Sequence, residues 1–334
     1  MTGPDMTGRD MAGPDMTDPM GGTGMTLAAA WGLLPAVLAV GVAALILGTV
    51  FAVADSVVLS GGRMRSAVEP FRSTARWLAQ QRRTTLAPDR LLWRSGVIAV
   101  PVLAVLSLAV VPIGGRTLLS TSADLVWFNA MEALLWAAVW LVGWGPNAVH
   151  SLVGAYRFLA QGLAYELPLM FALITAGLGA GSLRTTDIVA TQENLWFVVT
   201  MPVAFVVFLA SAAAFAFWGP FASPAGADIA AGVMSELSGV DRLLVQAGRA
   251  VVLGAAAAMS VALFLGGGAG PWLPEPVWYL LKTLLVILAM AAIGRRIPVL
   301  RPDRFVEFSW MVLIPATLLQ TLWVGLLVLS GFYP

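Results

Sequence analysis

Four polar residues crowd one short stretch of an otherwise apolar segment. In RFLAQGLAYELPL, residues 157–169, Arg157, Gln161 and Tyr165 recur at i, i+4 and i+8, and Glu166 follows directly. On a helix the first three share a face. Arg157 and Glu166 are separated by about 2.5 turns, roughly 13 Å along the axis, and point to opposite sides. They are expected not to pair with each other, so each needs a partner on another helix, or water. A charge at the centre of a membrane helix costs about 2.5–3.5 kcal/mol on insertion scales. Residues kept at that cost mark ion pathways or lock helices together, and both readings apply here.

The other ionisable residues in apolar surroundings are few. Asp55 ends the first apolar stretch, Glu132 sits in the third, Arg249 starts the sixth and Lys282 lies in the seventh. Asp228 and Glu236 precede the sixth stretch, eight residues apart and near one face if that segment is helical. Carboxylates in such settings suit proton relay. The chain has no cysteine and one histidine, His150, read as a loop residue after the third stretch. Disulfides, thiolate metal sites and iron–sulfur ligation are excluded, and no metal site is expected. If the protein takes part in redox chemistry, another subunit carries the cofactors.

The elements that position these residues are membrane helices. The 334 residues are 59% hydrophobic and 11% charged, with a mean hydropathy of +0.86. A spanning helix needs about 20 mostly apolar residues. Eight such stretches are expected, at 27–53, 92–112, 124–143, 152–178, 195–218, 248–267, 277–294 and 308–331. The in/out alternation of a membrane barrel is absent. The fold class is therefore an all-α polytopic membrane protein, with one helix-bundle domain over 26–334. Residues 1–25 are an imperfect Met-Thr-Gly-Pro-Asp repeat, expected to be a disordered tail.

Arginines set the expected orientation. The loop after the first stretch carries Arg63, Arg65, Arg72, Arg76, Arg82, Arg83 and Arg90, and the loop after the seventh carries Arg295, Arg296, Arg301 and Arg304. Loops after even-numbered stretches hold Arg116 and Arg184. Odd-numbered loops are thus expected in the cytoplasm, with both termini outside. In residues 63–83, Phe71, Ala75 and Leu78 fall on one side of a helix and Arg72, Arg76 and Gln80 on another, with Trp77 at head-group depth. This interfacial helix is either a membrane anchor or a lid over a ligand entrance. Lipid is an expected partner. Nucleic acid is not, because the net charge is only +1.

Residues 50–332 resemble a known family, the H-type membrane subunits of bacterial NADH:quinone oxidoreductase (complex I), with relatives in membrane-bound hydrogenases and formate hydrogenlyases. The resemblance rests on EPFRSTARWLAQQRRTTLAPDRLLWRSG, VVPIGG, AGSLRTTDIVATQ, WYLLKT and IPVLRPDRFVEFSWMVLIP, which includes Asp303. Its strongest part is ADLVWFNAMEALLWAAVWLVGWGPNAVHSLVGAYRFLAQGLAYELPL. It implies a bacterial inner-membrane subunit that joins the peripheral redox arm to the membrane arm. It also implies a contribution to the quinone chamber and to the start of the proton path. NADH and iron–sulfur clusters would then belong to partner subunits, and quinone would be a substrate.

Carried over residue by residue, Arg157, Gln161, Tyr165 and Glu166 match the family pattern, Asp55 stands where the family has Glu, and Glu236 matches the Glu of Glu-Tyr-Ser-Gly. Glu166, Asp228 and Glu236, together with Glu132, an addition the family pattern does not predict, are the expected proton-path residues, with Arg157 and Arg249 setting the field. Asp55, Arg72 and Arg76 are expected to line the quinone chamber, while Gln161, Tyr165, Lys282 and Asp303 are structural. The family's Gly-Pro-Asn-Arg-Val-Gly-Pro loop is missing, and its Glu at the start of the sixth stretch is Arg249 here. Its acidic Pro-Phe-Asp run reads PFASPAGADI. Two other classes stay open: a diverged structural anchor without proton conduction, and an independent transporter. Against the latter, no inverted repeat is visible.

Overall fold

The structure is a computed structural model and describes residues 26–27, 33–113 and 117–333. The repeat at 1–25 and Arg116 lie outside the described residues. Among the described residues, twelve α-helices follow one another: α1 (Leu33–Leu59), α2 (Glu69–Ala79), α3 (Arg90–Ser107), α4 (Asp124–Trp144), α5 (Val149–Ala180), α6 (Thr185–Thr191), α7 (Phe197–Thr200), α8 (Pro202–Phe215), α9 (Gly239–Phe264), α10 (Glu275–Gly294), α11 (Pro302–Phe308) and α12 (Ile314–Leu329). Seven helical segments among these residues are long and apolar enough to cross a membrane, and the shorter apolar α8 completes the set. Two-residue strands β1 (Thr26–Leu27) and β2 (Leu119–Ser120) pair antiparallel.

The bundle centre is α9, which packs on α1, α3, α8 and α10, and the apolar window of α9 is 83% buried. Small residues let the helices approach this closely. A Cβ on Gly254 would meet Leu47 backbone at 3.0 Å, and one on Gly248 would meet Pro101 N at 2.9 Å. Both described ends of the chain reach the same end of the bundle. The strand pair ties residue 26 to the α3–α4 connection. The backbone of Leu125 joins that connection to Leu183 after α5. The side chain of Gln192 then reaches Ala262 at the end of α9, and Tyr333 Oη bonds Thr200 Oγ1.

Four expectations from the sequence need correction. The first helix begins at Leu33 and runs to Leu59, so Asp55 lies within it and does not end it. The fifth stretch is broken at Met201, because Pro202 lacks the N–H that would continue α7. The sixth helix starts at Gly239, nine residues before the apolar window. Its first turns carry Asp241 and Arg242, and the α2–α3 loop contacts their start: Arg82 pairs with buried Asp241 at 2.7 Å and the Arg83 N–H donates to Ser238 Oγ. Arg249 is consequently in the third turn of α9. His150 lies in the first turn of α5, exposed, and not in the loop before it.

Prolines also shape the two helices that face each other late in the chain. Pro168 inside α5 leaves the Ala164 carbonyl without its usual donor. Ser309 Oγ, in a π-turn between α11 and α12, donates to that carbonyl. The wider π-turn precedes Pro315, which likewise cannot donate.

Candidate functional site

Helix α5 carries the polar seam. Gln161 and Tyr165 are buried, at 1% and 0% exposure. Gln161 Nε2 donates to the Ala214 carbonyl at 2.7 Å. Arg157 and Glu166 do not meet. Arg157 pairs with Asp228 at 2.7 Å and donates to the Ser223 carbonyl at 3.4 Å. Glu166 Oε1 accepts from Asn129 Nδ2 at 3.0 Å.

The opposing wall is α4. Asn129, Glu132 and Trp136 recur at i, i+3 and i+7 and face α5. Glu132 is 2% exposed, and Glu166 is half-buried beside it within electrostatic reach, as is the Tyr165 phenol. The rings of Trp136 and Tyr165 meet edge to face with centroids 6.1 Å apart. Gly162 permits this approach, since a Cβ there would lie 2.7 Å from the Trp136 ring. Asn129 Oδ1, Glu132 Oε2 and Glu166 Oε2 are buried without a protein hydrogen-bond partner among the described residues, while the Tyr165 phenol and the Trp136 indole face each other. Buried polar atoms normally find partners, in protein or water. Three such oxygens around the Trp136–Tyr165 pair form a polar cluster between α4 and α5. Asn129 and Trp136 were not singled out from the sequence, although their i, i+3, i+7 spacing with Glu132 carried the signal.

The remaining carboxylates lie elsewhere. Asp228 and Glu236 sit in a connection of 3-10 turns between α8 and α9, so the eight-residue spacing does not align them on a helix. The Asp228 side chain is 62% exposed, and Glu236 is half-buried. Asp303 is exposed in the first turn of α11.

A second feature is a cleft of about 490 Å³ bounded by α1, α2 and α9. Asp55 lines it with Arg249, Arg295 and Trp218. Arg295 Nε donates to Asp55 Oδ1 at 2.6 Å, and its Nη2 donates to Oδ2. Arg249 donates to the carbonyls of Ala216 and Phe217 at 3.0 and 2.6 Å and to Gln246 Oε1 at 2.8 Å. It thereby caps the carbonyl end of α8 together with Gln161. Arg72 and Arg76, expected to line a chamber, stand outside this cleft on the exposed side of α2, where Arg76 pairs with Glu69 at 2.5 Å. Arg295, in the sequence one of four arginines of a basic loop, is the charged lining residue that its sequence position does not mark. Lys282 is far from both features: its Nζ donates to the carbonyls of Leu265, Gly267 and Ala269 at the end of α9.

These features can be set beside known proteins. The family described as NADH dehydrogenase matches residues 59–325. An NADH-quinone oxidoreductase H subunit of Geobacter metallireducens is 37% identical over 238 residues, covering 68% of this chain and 72% of that protein. A second NADH-quinone oxidoreductase H subunit, from Rhodopseudomonas palustris, is 35% identical over 261 residues, covering 77% and 81%. A chain of the membrane-bound sulfane sulfur reductase, an archaeal respiratory membrane complex, superposes with a TM-score of 0.79 at 21% identity, covering 88% of this chain and 100% of that one. The fold is thus that of a respiratory membrane subunit, and the chain belongs to the family of NADH-quinone oxidoreductase H subunits.

Proposed function

We propose that this chain is the membrane subunit of a proton-translocating NADH:quinone oxidoreductase that joins the redox arm to the membrane arm. It contributes one wall of the quinone site and the first carboxylates of the proton path. The observation that carries the reading is the buried Glu132–Tyr165–Glu166 cluster, with carboxylate oxygens of both glutamates uncommitted to other protein groups. A relay requires such atoms, because a carboxyl already saturated with hydrogen bonds has no site for an incoming proton. Reduction of quinone beside the cytoplasmic loops changes local charge. Nearby carboxylates respond by taking up or releasing protons. The path runs through Glu236, Asp228, Glu166 and Glu132. Arg157 biases its outer step by holding Asp228, and Arg249 acts on Asp55 in the cleft that admits quinone. This chain binds no cofactor; NADH and iron–sulfur clusters sit in partner subunits. The chain lies in the bacterial inner membrane with its termini outside.

Glu166→Gln tests the reading. The Asn129 contact is kept in large part, so the assembly forms, and proton pumping per electron falls. Unimpaired pumping in that variant overturns the proposal. One observation favours a second reading, a structural anchor without its own conduction: all three nitrogens of Arg249 are tied to protein acceptors, the arrangement of a helix cap. Under that reading Glu132, Glu166 and Asp228 are dispensable while the whole chain is not.

A further inference from the structure

The cleft between α1, α2 and α9 has a chemistry of its own. Its inner end holds two guanidiniums, Arg249 and Arg295, against one carboxylate, Asp55. Glu69 also borders it but is engaged by Arg76. The inner end therefore carries a net charge of about +1 with each side chain in its ordinary charge state. Arginine has five N–H donors. Three on Arg249 and two on Arg295 have protein acceptors, which leaves donors on both for a ligand. The Arg295 side chain is 32% exposed, and its guanidinium lies 5.4 Å from the Trp218 ring centroid, which fixes its direction.

The position matters as much as the charge. Asp55 lies in the last turn and a half of α1, and Arg295 directly follows α10. Helix ends mark the depth at which hydrocarbon gives way to head groups. Most of the remaining lining is apolar, with Thr49, Ser56, Ser73, Thr74 and Gln246 interspersed, and its outer members Leu45, Leu59 and Phe71 are 68%, 66% and 55% exposed. The cleft therefore opens sideways, toward lipid. An occupant that matches it has an anionic head at helix-end depth and apolar tails running along α1. Phosphate suits paired guanidiniums because its oxygens accept several N–H bonds at once.

We propose that this cleft binds an anionic phospholipid, with its phosphate at Arg249 and Arg295 and its acyl chains running along α1 past Ala52 toward Leu45. The inference concerns the cleft assigned above to quinone but does not depend on that assignment. A lipid seated there leaves before a quinone enters, so lipid retention and quinone reduction are separate readouts.

The test uses the full assembly extracted in mild detergent, exchanged free of native lipid and offered phosphatidylglycerol or phosphatidylcholine of identical acyl chains. Native mass spectrometry counts the lipids retained on this chain. One favourable surface charge is worth about 1 kcal/mol, or roughly a fivefold preference. The expected result is a preference of about that size for phosphatidylglycerol, not reversed by excess glycerol phosphate. The preference should vanish in Arg295→Gln. In Ala52→Trp, which fills the cleft wall and leaves both arginines in place, retention of both lipids should drop. Equal retention of the two lipids, displacement by glycerol phosphate, or a preference unchanged in both variants overturns the proposal. Quinone reductase activity unchanged in both variants, with the lipid effects as expected, counts against the quinone reading of the cleft alone.

Discussion

Replacing Lys282 by methionine should destabilise the bundle through a single, countable set of contacts. The Lys282 ammonium donates to the carbonyls of Leu265, Gly267 and Ala269 at 2.6, 3.1 and 2.8 Å. Those carbonyls converge because Gly266 and Gly267 adopt φ of +67° and +53°, which turns the chain back over the end of α9. Lysine has three donors, and all are used. The ammonium also lies 4.0 Å from the Trp196 ring centroid. Methionine fills nearly the same volume and donates nothing. Hydrogen bonds inside membrane proteins average about 0.6 kcal/mol each, so three set a floor of about 2 kcal/mol. A partly desolvated cation–π contact adds about 1 kcal/mol. The higher figure of about 1.5–3 kcal/mol per charged bond is not reached, because carbonyls at a helix end regain water. A loss of about 3 kcal/mol should lower the melting temperature of the detergent-solubilised protein by about 4 °C, since an unfolding entropy of about 2.1 cal/mol/K per residue comes to about 0.7 kcal/mol/K for a chain of this length. Lys282→Arg should fall between, since a planar fork cannot address three converging acceptors. A melting temperature unchanged in Lys282→Met would refute the capping argument.

Two further outcomes follow from the same geometry. Tyr165→Phe removes a buried phenol oxygen that neighbours the Trp136 indole. Thermal stability should move by less than about 1 kcal/mol, while proton translocation by the assembled complex should slow; equal translocation would reduce Tyr165 to a packing residue. Asp124 is fully buried and accepts from Thr121 N and Oγ1 at 2.7 and 2.9 Å, and from Thr185 N and Oγ1 at 3.0 Å each. Asp124→Ala strands those donors at about 1–3 kcal/mol for each that stays buried. The connection between α3 and α4 should then become sensitive to protease, a change that limited proteolysis of the purified protein reads directly.

Much of this molecule was legible because membrane helices announce themselves by composition. Continuous apolar runs located the spans, and the three-and-four spacing placed Arg157, Gln161 and Tyr165 on one face of α5, with Arg157 and Glu166 too far apart to pair. The misplacements share one physical cause: hydropathy reports the average environment of a window, whereas helices end where hydrogen bonds end. Asp241, Arg242 and Gln246 lower the hydropathy of residues 239–247, yet the helix begins at Gly239, where Gln80, Arg82 and Arg83 of the α2–α3 loop contact Gly239, Asp241 and the preceding Ser238. Residues 195–218 are uniformly apolar, yet Pro202 breaks them. Arg249 shows how one such error propagates. Placed at a helix start, it reads as a free cation that sets a field. In the structure its acceptors are the carbonyls of Ala216 and Phe217, more than thirty residues earlier. Those carbonyls are available only because α8 ends at Phe215, an end that hydropathy running on through Trp218 conceals. The charge at that position therefore answers first to a helix terminus and only then to the cleft. A glutamate there would face carbonyl oxygens and be repelled by them. Arg249→Glu should accordingly require the end of α8 to rearrange, and the sign of this residue is tied to the local backbone of this chain.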